Sequence, residues 1–248
     1  MVLARSILGA QSALGYSRPR APKVLRAKAT FEALARDSVE GYFHSVSLLG
    51  DDLRRRLFSG AFQRRLNGYS AVEVLRAHAK NAPEHPLSKV QYLDMKTYLV
   101  GDILTKVDRA SMAHALEVRE PLLDHELMGW VAGLPIDLKL RGREGKYLFK
   151  KAMEPYLPHD VLYRRKMGFA VPLEGWFRGL LKEKIGQAVL GARLLDTGWF
   201  ERRYLEELVR EHQSGRRDYS VALWSLLMFD AFLGTEAAVP HFPHVQAA

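Results

Sequence analysis

Apolar positions along this chain recur at helical rather than strand spacing. In KVLRAKATFEALARD (Lys23 to Asp37) they fall at Val24, Leu25, Ala29, Phe31, Leu34 and Ala35, which predicts a helix. Gly15, Pro19 and Pro22 break any pattern before it, so 1–22 is expected to be irregular. SVEGYFHSVSLLGDDLRRRLFSGAF predicts short helices, with Asp51 or Asp52 capping the run through LRRRLF. SAVEVLRAHAKNA opens on Ser70 with Glu73 three residues later, the capping-box spacing. SKVQYLDMKTYLV (Ser88 to Val100) predicts another helix, and Gly101 interrupts it. Asp102 can then cap a further helix to about Val118, which Pro121 ends. Asp124 is placed to cap HELMGWVAGL, and Pro135 to stop it. RGREG reads as a loop before the helix KYLFKKAM. PHDVLYRRKMGFAVPLEGWF reads as a helix, a glycine-containing loop and a turn led by Pro172. RGLLKEKIGQAVL, ERRYLEELVREHQ and YSVALWSLLMFDAFL are helical by period, and the last is apolar nearly all round, which predicts burial. No strand run of convincing length and no repeat occurs. The predicted class is mainly α: one helical domain over 23–235, with a flexible tail at 236–248.

LTKVDRASMAHALEVREPLLD, from Leu104 to Asp124, raises the first question of function. It has the apolar period of a core helix yet carries Lys106, Asp108, Arg109, Glu117 and Arg119. At about 100° per residue, Leu104, Val107, Ser111, Ala115 and Val118 share one face. Lys106, Arg109, Ala110, Ala113 and Glu117 share the other. Lys106 and Glu117 would lie about 16 Å apart along a helix, too far to pair. A floor of alanines flanked by long charged side chains suits a ligand groove. It equally suits a helix with one wet face, because alanine is a good helix former.

Lys146 is predicted in the first turn of its helix, where the macrodipole favours an anion over a cation. It serves there either as an exposed surface lysine or as a partner for a docked phosphate or carboxylate. GREGKYLFKK is not a Walker loop, because Tyr147 follows Lys146 and the glycine spacing is wrong. RRKMGFAVP (Arg164 to Pro172) is a second basic, glycine-containing loop.

Composition narrows the chemistry. With 48% hydrophobic and 26% charged residues the chain can bury a real core. It contains no cysteine, which excludes disulfides, cysteine-ligated zinc and a cysteine nucleophile within it. No apolar run approaches the roughly 18 to 20 residues that span a bilayer, so no membrane partner is expected. The net charge is +9. Up to Arg36 there are seven basic residues and one acidic residue, so six of the nine net charges lie in that stretch. A basic balance of this kind suits polyanions, and the acid-poor start imitates a transit peptide, although it runs unbroken into helical pattern. The basic residues beyond it are spread over many helices without a nucleic-acid-binding motif. HExxH, G-x-S-x-G and EF-hand patterns do not occur, and no metal site is expected. His114 has no accompanying serine–carboxylate set. Trp130, Trp176, Trp199 and Trp224 are expected to pack in the core or against a partner.

YLDMKTYLVGDILTKVDRASMAHALEVREPLLD, LPIDLKLRGREGKYLFKKAMEPYLP and RRKMGFAVPLEGWF, in this order, resemble the synthetase domain of glutamine-hydrolysing asparagine synthetases over roughly Gln91 to Phe177. HSVSLL and ALWSLLMFDAFL share the likeness. RAKATFEALARDSVEGYFHSVS is similar to the amidotransferase branch linked to bacterial exosortase and exopolysaccharide clusters. The resemblance implies the helical C-terminal portion of an adenine-nucleotide α-hydrolase-like (ATP-pyrophosphatase) domain. It implies a reaction that adenylates a small-molecule carboxylate with ATP and Mg²⁺, after which ammonia from glutamine attacks. It carries Lys146 over as the lysine that steadies phosphate and developing charge, and Glu117 as an acidic proton-relay position. Lys106, Arg109, Arg119, Lys150 and Lys166 become substrate or phosphate contacts, although Arg119 and Asp108 fit structural ion pairing as well.

The family's phosphate loop S-G-G-x-D-S, its S-G-E-G-x-D-E segment and its glutaminase cysteine do not occur in this chain. Glu120 stands before Pro121 where the family has an apolar residue. A partial synthetase is therefore expected, inactive by itself, with glutaminase and ATP-binding segments upstream or on another chain. A cytoplasmic location follows from its use of ATP and glutamine. The alternatives are a non-catalytic helical module that docks on a separate ATP-binding half, and a basic nucleic-acid-binding helical protein.

Overall fold

The computed structural model describes residues 37–165 and 171–236. The predicted helix from Lys23, the irregular start, the tail and Lys166 therefore lie outside the described residues. The described residues are mainly helical, with a single two-stranded hairpin, Leu140–Arg141 paired antiparallel to Glu144–Gly145. RGREG, expected as a loop, forms this hairpin. Its two-residue turn opens on Gly142 at φ +60, the position where a II′ turn requires positive φ.

The chain divides into two compact units: 37–46 with 71–165, and 47–70 with 171–236. In the first, the helices Ser38–Val46, Val72–Ala79 and Pro86–Lys96 pack together. They bury Val39, Tyr42, Val72, Leu75 and Leu93 between them. The second unit has a larger core, in which Phe177, Ile185, Leu194, Leu205, Leu208 and Leu223 are completely buried. Its two chain segments are stitched by backbone bonds, Ser59 N–H to Trp199 O and Glu201 N–H to Leu57 O, each 2.8 Å. Phe62 stacks on Trp199 at 5.3 Å. Arg56 grips Glu207 through both carboxylate oxygens while lying over the Tyr204 ring.

Several predicted ends and caps are corrected. Asp51 and Asp52 sit inside the first turn of Asp51–Leu57, where their charge meets the positive helix end, and Gly50 is the cap. Ser70 makes no cap bond to Val72–Ala79; Glu73 pairs with Arg76 instead. Gly101 does not break the chain, which winds through a π-helical turn, Leu99–Leu104, directly into the helix Thr105–Met112, so Asp102 caps nothing. That helix ends at Met112, not near Val118. Leu116 N–H bonds Ser111 O and Ala115 N–H bonds Met112 O, while Ala115 takes φ +55. These are the two bonds of a Schellman cap, closed by an alanine where glycine is usual. Pro121 therefore begins a 3₁₀ turn, Pro121–Leu123, and ends no helix. Asp124 does cap His125–Gly133, accepting from Glu126 N–H and Leu127 N–H at 3.0 Å.

The helix Ser220–Glu236 is buried on one side only. Ala222, Leu223, Leu226 and Leu227 enter the core, whereas Trp224, Met228 and Phe232 form an exposed apolar stripe. Trp130 is 59% exposed and belongs to no core. Among the described residues no helix is long and apolar enough to cross a membrane.

Candidate functional site

A cavity of about 880 Å³ opens in the first unit. Its floor comes from Pro86–Lys96, which presents Leu87, Val90, Asp94 and Met95 along one side, and from Tyr98 and Leu99 at the following turn. The helix His125–Gly133 adds Met128, Val131 and Ala132, and Leu123 precedes it. The wall is thus mostly aliphatic. Two lysines line it, Lys139 and Lys146. Lys139 is half-buried and its Nζ donates to Ala132 O at 2.8 Å, which holds it at the C-terminal end of the wall helix.

Lys146 is the N-cap of Tyr147–Met153, one position earlier than predicted. It holds φ +57 and ψ +33, the left-handed region, which costs a non-glycine residue roughly 1 to 2 kcal/mol. Strain of this order clusters where a side chain has a task. Lys146 is exposed and has no ion-pair partner among the described residues. Tyr42, also in the lining, donates its hydroxyl to Asp94 Oδ1 at 2.7 Å. Burial first, and then this bond, push the Tyr42 hydroxyl well above its ordinary range, so it stays protonated and neutralises no cation. Burial and the nearby Asp102 carboxylate likewise raise Tyr98.

Of the six expected site residues that are described, only Lys146 lines this cavity. Lys106 pairs with Asp102 one turn back, at 3.3 Å. Arg109 is exposed on the same short helix. Glu117 is not on the face shared by Lys106 and Arg109, because the helix has ended before it; it pairs with Arg119 at 2.7 Å in extended chain. Lys150 is drawn into an ion pair with Glu144 across the hairpin and lies over the Tyr163 ring, so its charge is already taken. Sequence reasoning missed Lys139, Asp94 and Tyr42. Nothing in their local sequence distinguishes them from surface helix residues; only packing brings them together.

Among the described residues no group of three or more His, Asp or Glu side chains could hold a metal.

The sequence model of the asparagine synthase family matches residues 11–234, almost the whole chain. The chain belongs to the asparagine synthase family. A Mycobacterium tuberculosis (strain ATCC 25618 / H37Rv) protein assigned as a glutamine-hydrolysing asparagine synthetase is 37% identical over 157 residues, 61% of this chain and 23% of that protein. Asparagine synthetase (glutamine-hydrolysing) 1 of Bacillus subtilis (strain 168) is 33% identical over 143 residues, 58% of this chain and 22% of its own length. Amidase chyE of Penicillium rubens (strain ATCC 28089 / DSM 1075 / NRRL 1951 / Wisconsin 54-1255) is 30% identical over 134 residues, 51% of this chain and 20% of that protein. The chain thus spans about a quarter or less of the length of these relatives. No solved structure matches it significantly.

The family signature lies in an unusual structural setting. From Asp94 to Arg165 no residue is fully buried. Val100, Met112, Leu116, Leu122 and Trp130 are each more than half exposed.

Proposed function

We propose that this chain is the acceptor-side helical part of an ATP-dependent amidoligase of the glutamine-hydrolysing asparagine synthetase type, which converts a carboxylate into an amide. The observation that carries this reading is Lys146: a strained lysine in the cavity lining, without an ion-pair partner among the described residues and inside the matched family region. An ammonium there holds a carboxylate or phosphate oxygen and stabilises negative charge as it develops. Lys139 supplies a second positive group on the same wall. The elements that bind ATP and Mg²⁺ and those that release ammonia from glutamine come from an upstream segment or another chain. They would cover the exposed Val100, Met112, Leu116, Leu122 and Trp130, which lie outside the cavity lining, and the complete domain would have the ATP-pyrophosphatase type of fold. The enzyme works where ATP and glutamine are supplied, in the cytoplasm.

The test is AMP formation. The purified chain given ATP, Mg²⁺, ammonia and a carboxylate is expected to make none. The same chain joined to an S-G-G-x-D-S-bearing segment is expected to make AMP and amide in equal amounts. AMP production by the chain alone, or none by the completed protein with any carboxylate, would refute the proposal. The exposed segment favours a second reading, a non-catalytic helical module docked on an ATP-binding half. Retention of full activity when Lys146 is replaced would support that one.

A further inference from the structure

The shape and chemistry of the cavity say what kind of carboxylate it takes. A site for a small polar acid such as aspartate needs a donor or acceptor for each of its charged groups. Here the wall is built from Leu87, Val90, Met95, Leu99, Met128 and Val131. At about 880 Å³ it lies at the upper end of the range of small-molecule sites, roughly 300 to 1,000 Å³. Its cations are Lys139 and Lys146, and its one carboxylate, Asp94, already accepts the Tyr42 hydroxyl. An aliphatic wall with two ammonium groups complements a ligand that is anionic at one end and apolar along its body.

We propose that the cavity binds an amphipathic carboxylate, with its head at Lys146 and Lys139 and its hydrocarbon body along the aliphatic wall. This rests on the reading of Lys146 as an acceptor-site residue, and it narrows the acceptor from any carboxylate to one with an apolar body. Lys139 is then a specificity-determining residue, since its bond to Ala132 O fixes its ammonium beside the apolar wall.

Calorimetric titration of the chain, without ATP, with hexanoate, octanoate, decanoate and decanol tests this. Each added methylene buried against the wall is expected to tighten binding about threefold to fourfold. Decanol, without the charge, is expected to bind at least about tenfold more weakly than decanoate. Lys146→Glu is expected to remove the preference for decanoate over decanol, and Val131→Trp, which fills the cavity, to weaken both. Lys146 is exposed, so its replacement does not threaten folding. Equal binding of decanoate and decanol, affinity indifferent to chain length, an unchanged preference in Lys146→Glu, or no saturable binding by any of these ligands would overturn the proposal. Binding is read here without any amidation, so this result can fail while AMP formation by the completed protein succeeds, and the reverse.

Discussion

The segment from Asp94 to Arg165 and the unit formed by 47–70 with 171–236 come from one polypeptide but are built on different terms. The second encloses its own core, with Phe177, Leu205 and Leu223 wholly removed from water. Both lie within the matched family region, but the first fully buries none of its side chains. Its helices are short, its turns are strained at Ala115 and Lys146, and its large apolar residues face outward. The contrast is one of burial: the second unit holds a closed core, and the segment from Asp94 to Arg165 has none of its own.

The strongest way to break this comparison is to truncate side chains in both regions. Leu205→Ala and Leu223→Ala are expected to cost about 2 to 5 kcal/mol each, as buried leucines do. Leu116→Ala and Leu122→Ala are expected to stay within about 0.5 kcal/mol. Urea denaturation followed by circular dichroism measures all four, and a large cost at Leu122 would mean that the signature segment has a core of its own.

Acid sharpens the contrast next. His212 is completely buried, its Nδ1 accepts from Tyr219 N–H at 3.1 Å, and Arg178 donates to its carbonyl. Burial, followed by the positive Arg178, depresses its pKa, with Asp218 opposing. The folded state therefore binds a proton less readily than the unfolded chain does. Its stabilising contribution is complete above the unfolded value near 6.5 and is lost as pH falls from there toward the depressed folded value. The slope cannot exceed about 1.4 kcal/mol per pH unit for this one proton. The 47–70/171–236 unit is expected to lose stability over that window, and His212→Gln to flatten the dependence. Thermal melts from pH 7.5 to 5 test both, and an unchanged slope in the variant would exclude His212 as the source.

The smallest expected effect lies in the signature segment. Ala115→Gly removes a Cβ from a left-handed position and is expected to stabilise the cap by about 0.5 to 1 kcal/mol. The gain is modest because glycine also enlarges the freedom of the unfolded chain. Hydrogen-exchange protection of the Leu116 amide reports it, and faster exchange in the variant would contradict the geometry.

Helical character, the Asp124 cap and the amphipathic helices of the second unit were legible in the sequence because period and capping chemistry act locally. The end of the signature helix was not. Alanine at 115 is the best helix former, and the cap that closes there shows only in the backbone bonds of Leu116 and Ala115. That single error carried Glu117 onto a face it does not share. Lys146 was legible as a cation in an awkward electrostatic place. Lys139, Asp94 and Tyr42 were not, because three separate parts of the chain must fold before they line one cavity. The exposed stripe Trp224, Met228 and Phe232 was hidden by a helix apolar on every side, which gives no direction to its burial.

The most direct measurement is kcat/KM for amide formation by the chain joined to an ATP-binding segment, comparing Lys146→Ala with Arg109→Ala. Lys146→Ala is expected to lose about 10²- to 10³-fold, the effect of removing a positioned charge-stabilising donor. Arg109→Ala, on the exposed helix outside the cavity, is expected to lose less than about tenfold. Equal losses in the two variants, or a Lys146→Ala enzyme as active as the unsubstituted one, would contradict the assignment of the cavity as the acceptor site.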